Sequence, residues 1–79
     1  MPPSERLTTI RSMVDGLASR LEQSPRDADG WIKLIRSRMV LGETELARQA
    51  LESGLKAFSD DPHQHDRIAA AAQQIGLIQ

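Results

Sequence analysis

The chain has 79 residues, enough for one small domain, and its two aromatic side chains, Trp31 and Phe58, leave the core to Leu, Ile, Val, Met and Ala. With no cysteine, disulfides, zinc–thiolate centres and cysteine nucleophiles are excluded. A net charge of −1 argues against a dedicated nucleic-acid binder, and no apolar run reaches a membrane span or a signal-peptide core.

The opening Met1-Pro2-Pro3-Ser4 reads as a short flexible lead-in, or as the cut end of a longer protein. From there Leu7, Ile10, Met13, Val14, Leu17 and Leu21 recur at helical spacing. They predict a first helix over about 5–22, with Ser4 as its N-cap and Pro25 as its stop. Gly16 inside this helix reads as a close-packing site, because an exposed glycine there weakens a helix by about 1 kcal/mol relative to alanine.

Asp27 or Asp29 caps a second helix over about 28–41, with Trp31, Leu34, Ile35, Val40 and Leu41 forming much of its apolar surface and Gly42 just past its end. Glu43 and Glu45 bring negative charge to the start of a third helix, about 44–58, whose buried stripe is Leu46, Ala47, Ala50, Leu51 and Leu55. Asp61-Pro62 opens a fourth helix, about 62–75: Asp caps, and Pro fills the first helical position, where its missing N–H costs nothing. Ile68, Ala69, Ala72 and Ile75 face inward, and Gly76 ends it. The expected architecture is all-α, with short connections making neighbouring helices antiparallel.

An offset of about 34 residues aligns the chain with itself. Leu7 meets Leu41, Leu17 meets Leu51, Ser19 meets Ser53, Leu21 meets Leu55, Asp27 meets Asp61 and Gly42 meets Gly76. The Asp and Gly pairs fall at helix edges and carry more weight than the leucines. Charge is uneven along this frame. Residues 25–41 hold four basic and two acidic side chains, and residues 43–61 hold two and five, but neither bias assigns a function by itself.

Signals for catalysis or metal binding are weak. His63-Gln64-His65-Asp66 is the one metal-like cluster, but histidines two apart on a helix point in different directions, unlike an i, i+4 pair. The bland reading, polar side chains in an exposed first turn, is preferred. Asp60-Asp61 lacks calcium-loop spacing and reads as capping. There is no nucleophile elbow and no Gly-rich phosphate loop. Gly30 and Gly54, like Gly16, suit close packing, and no cofactor is implied.

The period and its markers resemble the tetratricopeptide family. Trp31 and Leu34 fit its first helix, Leu41-Gly42 its turn, and Ala47, Leu51 and Leu55 its second helix, while Pro25 closes a preceding partial repeat and Pro62 opens the next. Ile35 departs from the usual small residue, Arg38 from the aromatic, Gly54 from Ala, Ser59 from the closing Pro and His65 from Trp. The resemblance implies one domain over 5–79, made of a partial repeat, a full repeat at about 28–61 and a second partial repeat. An unrelated four-helix bundle is the alternative.

A narrower resemblance lies in Met13-Val14, Leu17-Ala18-Ser19-Arg20-Leu21, Pro25-Arg26-Asp27, Gly30-Trp31, Leu34, Arg36-Ser37 and Val40-Leu41-Gly42. Over about residues 13–60 these are similar to the repeat segment of the bacterial cytochrome c-type biogenesis family CcmI/CycH. The family implies a non-catalytic periplasmic domain of a membrane-anchored protein, one that holds apocytochrome c by its C-terminal helix and delivers it to the haem-ligation complex. Membrane attachment would come only through parts outside this chain.

By the tetratricopeptide resemblance, the concave groove is lined by Ile32, Arg36, Met39 and Val40, and from the next helix by Asp66, Ala70 and Gln73. Arg36 with Lys33 would take a carboxylate or acidic side chain, and an amphipathic helix suits such a groove. Against this stands the plainer reading, in which Met39 and Val40 pack on a neighbouring helix and Arg36 is solvated. The carboxylate-clamp class of partner is disfavoured, since Ile32 and Arg36 stand where Lys and Asn are needed. A generic scaffold is the alternative function, with unpaired helix faces favouring a homodimer.

Overall fold

The computed structural model describes residues 3–77, with side chains described for residues 8–77. It consists of four helices, α1 (Pro3–Gln23), α2 (Ala28–Val40), α3 (Thr44–Ala57) and α4 (Pro62–Gln74), in an array of helical hairpins. α2 packs against α1, α3 and α4, and α3 against α4, so α2 lies at the centre.

All four expected helices form, with ends shifted by a residue or two. α1 begins at Pro3, so Ser4 lies inside it rather than ahead of it; proline's fixed φ suits a first turn. Met1 and Pro2, and the side chains of Ser4 and Leu7, lie outside the described residues.

Local chemistry repeats at the predicted period. The N-cap of α2 is Asp27 rather than Asp29, its carboxylate accepting from the Gly30 amide at 3.0 Å. Asp61 caps α4 in the same way, accepting from the Gln64 amide at 3.3 Å. The two caps share nearly one backbone conformation, φ −136° and ψ 87° against φ −132° and ψ 87°. At the other end, Gly42 and Gly76 adopt φ +75° and +79°, a left-handed conformation that favours glycine. Each closes a Schellman turn: Gly42 and Glu43 donate to Met39 and Arg38, and Gly76 and Leu77 donate to Gln73 and Ala72. Glu43 occupies the N-cap position of α3 but makes no capping bond.

The core gathers where α2, α3 and α4 meet. Ile35, Ala47, Ile68 and Ala72 are fully buried, with Leu21, Trp31, Leu34, Leu51 and Phe58 around them. Trp31 is held at its polar end, the indole Nε1–H donating to the Pro25 carbonyl at 2.8 Å. Gly54 sits beneath the ring: a Cβ there would lie 3.1–3.2 Å from Trp31. A Cβ at Gly30 would meet Leu21 Cδ2 at 2.8 Å and the capping carboxylate of Asp27 at 2.6 Å. Both glycines are therefore close-packing sites.

Two expectations are corrected, for Gly16 and Leu46. Gly16 is exposed, and a Cβ there meets nothing within 4 Å. The Gly16→Ala variant should therefore gain about 1 kcal/mol from helix propensity, read as a higher thermal midpoint; a lower midpoint would mean that the glycine is required. Leu46 is 39% exposed rather than buried, because it lies at the edge of α3's inward face. Ile10 and Met13, at the start of α1's apolar stripe, are 44% and 70% exposed, because none of the described helices covers that face.

Candidate functional site

The eight residues proposed to line a groove lie on α2 and α4. On α2, Ile32 and Met39 are half-buried and pack against the core, while Arg36 and Val40, one turn apart, are exposed, Val40 to 85%. On α4, Asp66, Ala70 and Gln73 are exposed. Arg36 and Val40 thus share a solvent-facing strip of α2, with Ile32 and Met39 half-buried on the same helix. Lys33 departs from this set: with Ser37 it borders a separate groove between α1 and α2. Of the plainer reading, Met39 packs and Arg36 is exposed as it has them, while Val40 is not packed.

That second groove has a volume of about 480 Å³ and is walled by Ile10, Met13 and Leu17 of α1, with Arg20 at its edge. Sequence periodicity marks these apolar residues as a helix face, but not as an uncovered one.

Charged side chains tie the helices together. Arg38, at the position where the repeat pattern has an aromatic, is the buried charged residue among those described, 7% exposed. Its Nη1 lies 2.9 Å from the Asp15 carboxylate of α1 and 3.0 Å from the Glu43 carboxylate at the start of α3. Arg11 lies 3.5 Å from Glu43, extending the network. Sequence reasoning missed this role; its signal was a charged residue on an otherwise apolar face with an acid five positions on.

At the opposite end, Arg26 joins the α1–α2 turn to the α3–α4 turn. It donates to the Ala57 carbonyl at 3.0 Å and to Asp60 at 2.7 Å, and its guanidinium lies 4.9 Å from the centre of the Phe58 ring. The hydrogen bond from Arg26 holds the Asp60 carboxyl below its ordinary value of 3.8, helped by a backbone hydrogen bond and by the charge of Arg26. A depressed carboxyl favours the folded state above the ordinary value, and that contribution fades as pH falls through the folded value. Nearby, Arg67 of α4 pairs with Asp29 of α2 and donates to Gln64 at 2.7 Å.

His63 is exposed, and His65 lies 3.2 Å from the neighbouring Asp66. Among the described residues no group of three or more His, Cys, Asp or Glu side chains is placed to hold a metal. No described helix is long and apolar enough to cross a membrane.

No protein-family model matches the chain, and no solved structure does. The chain is similar to the cytochrome c-type biogenesis protein CycH of Rhizobium meliloti, 40% identical over 77 residues, which cover 98% of this chain and 20% of that protein. It is also similar to the protein of the same name from Bradyrhizobium diazoefficiens, 30% identical over 77 residues, 98% of this chain and 21% of that one. The chain thus spans about one-fifth of the length of the curated relatives it matches.

Proposed function

We propose that the chain is a tetratricopeptide-type, non-catalytic protein-binding module of cytochrome c maturation. It holds the C-terminal helix of apocytochrome c along the exposed strip of α2 and α4 until haem ligation. On this reading it works in the periplasm, as part of a membrane-anchored bacterial protein, beside other maturation components.

The observation that carries the repeat assignment is the duplication of both helix ends, Asp27 with Asp61 and Gly42 with Gly76, at the tetratricopeptide period. The similarity to two proteins named for cytochrome c biogenesis supports the process. The strip itself supports the ligand class. Val40, Ile32 and Met39 offer adaptable apolar contact, and Arg36 offers a charge-assisted bond to an acidic side chain or a terminal carboxylate.

A synthetic C-terminal helix of a c-type apocytochrome should shift the amide resonances of Ile32–Val40 and of Ala70 and Gln73 in an NMR titration. Arg36→Ala should weaken that binding about tenfold, the loss of one charge-assisted hydrogen bond. Absence of shifts at millimolar peptide would sink the proposal.

A further inference from the structure

α1 and α3 lie side by side over α2, bridged at both ends and open between. At one end Arg38 of α2 reaches Asp15 of α1 at 2.9 Å and Glu43, just ahead of α3, at 3.0 Å. At the other, Arg26 donates to the Ala57 carbonyl at the end of α3 and to Asp60 beyond it. Among the described residues the two helices make no substantial contact of their own. The bridges therefore hold a cleft of about 180 Å³ between them, with Trp31 and Leu34 of α2 below and Ala18 and Ala50 on either side. It opens away from Arg36 and Val40, which lie across α2 from Leu34 and Arg38.

Stacking of further repeats leaves this cleft open. By the 34-residue offset its α1 wall, Ala18 and Glu22, is equivalent to Glu52 and Lys56 of α3. Both of these stay exposed although α2 and α4 pack on that helix. On the α3 wall, Leu46, Gln49 and Ser53 face α1 and are exposed as well.

We infer that the α1–α3 cleft receives a single lysine side chain of a partner protein. Size sets the scale of the occupant. A volume of about 180 Å³ is below the roughly 300–1,000 Å³ of pockets that take drug-sized ligands and cofactors, and suits one long side chain. Chemistry then selects lysine. Leu34, Leu46, Ala18 and Ala50 offer apolar surface for a methylene stem. Glu22, Gln49 and Ser53 offer an acceptor each, matching the three N–H donors of an ammonium. Glu22 has no ion-pair partner among the described residues. Arg38 also lines the cleft, but two acids share its Nη1, so it presents no uncompensated positive charge. An acidic side chain would instead be repelled by Glu22. The inference uses the cleft alone and does not rest on the proposed role in cytochrome c maturation.

The probes are acetyl-Ala-Lys-Ala-amide, the same tripeptide with norleucine in place of lysine, and n-butylammonium chloride. Each is titrated into the isotope-labelled full chain and followed by NMR. The lysine tripeptide should saturably shift the amides of Ala18, Glu22, Gln49 and Ser53 and the Trp31 indole N–H, with a dissociation constant on the order of 1 mM. The norleucine tripeptide, which keeps the stem and lacks the charge, and butylammonium, which lacks the backbone, should each bind at least tenfold more weakly. Glu22→Gln should weaken the lysine tripeptide about tenfold, the loss of one charge-assisted bond. Ser53→Leu should abolish binding by filling the cleft, and Glu52→Gln, which removes an exposed acid outside it, should change nothing. Circular dichroism checks that each variant keeps its helices. Four results would overturn the inference: no saturable shifts at tens of millimolar; equal binding of the norleucine tripeptide; equal losses from Glu52→Gln and Glu22→Gln, which would mean diffuse charge attraction; or butylammonium binding as tightly as the tripeptide, which would make the cleft a site for a free amine.

Discussion

Trp31→Ala is expected to cost about 3–5 kcal/mol, the range for truncating a buried large aromatic. A chain of this length has a total stability of only about 4–12 kcal/mol, so the variant should be substantially unfolded or sharply shifted in its urea midpoint. Three features put the residue at the high end. It is 4% exposed, it is seated on Gly54 with no space beneath, and its indole N–H satisfies the Pro25 carbonyl. Trp31→Phe separates packing from hydrogen bonding: it keeps most of the ring and loses the donor, for an expected loss of about 1–2 kcal/mol. Far-UV circular dichroism across a urea gradient measures both without depending on tryptophan fluorescence. An alanine variant with an unchanged midpoint would show that the ring does not anchor the array.

Arg38 should discriminate between charge and shape. Removing a buried guanidinium while leaving its acids in place is more damaging than replacing it with an apolar side chain. Arg38→Ala is expected to lose about 2–3 kcal/mol. This lies below the range for fully buried pairs because Asp15 is well exposed, its side chain at 59%, and can be re-solvated. Glu43, at 19%, is less able to recover. Arg38→Leu fills most of the volume with no charge and should lose about 1 kcal/mol or less. A double-mutant cycle with Glu43→Ala isolates the pair. Equal losses for alanine and leucine would assign the role of Arg38 to its charge alone.

Much of this architecture was legible in the sequence because its signals are local. Asp27 and Asp61 before their helices, Pro62 behind its cap, and Gly42 and Gly76 after theirs each act within one turn, and the helix limits follow from them. Trp31 was legible too, as the lone tryptophan, standing where the repeat pattern has Trp. What was not legible depends on what lies opposite a face. Periodicity placed Ile10 and Met13 on an apolar stripe but is silent on whether a neighbour covers it, and here none among the described residues does. Gly16 read as a contact because glycine is poor in helices, yet the space beside it is open. Arg38 stood out as a departure from the repeat pattern, but its pairing comes from Asp15 in the middle of α1 and Glu43 at the start of α3. Among the residues expected to share one groove, Lys33 instead borders α1, because it lies on the flank of α2 facing that helix.

The central position of α2 has a kinetic consequence. Every substantial helix contact joins elements one or two apart along the chain: α1 with α2, α2 with α3, α3 with α4, and α2 with α4. No distant segments have to find each other, so little loop-closure entropy is lost before contacts form. Chains of such low contact order fold in microseconds to milliseconds. The α2–α3 hairpin, closed by the Gly42 turn and sealed by Trp31 over Gly54, is the natural place for that process to start, with α1 and α4 condensing onto it from either side.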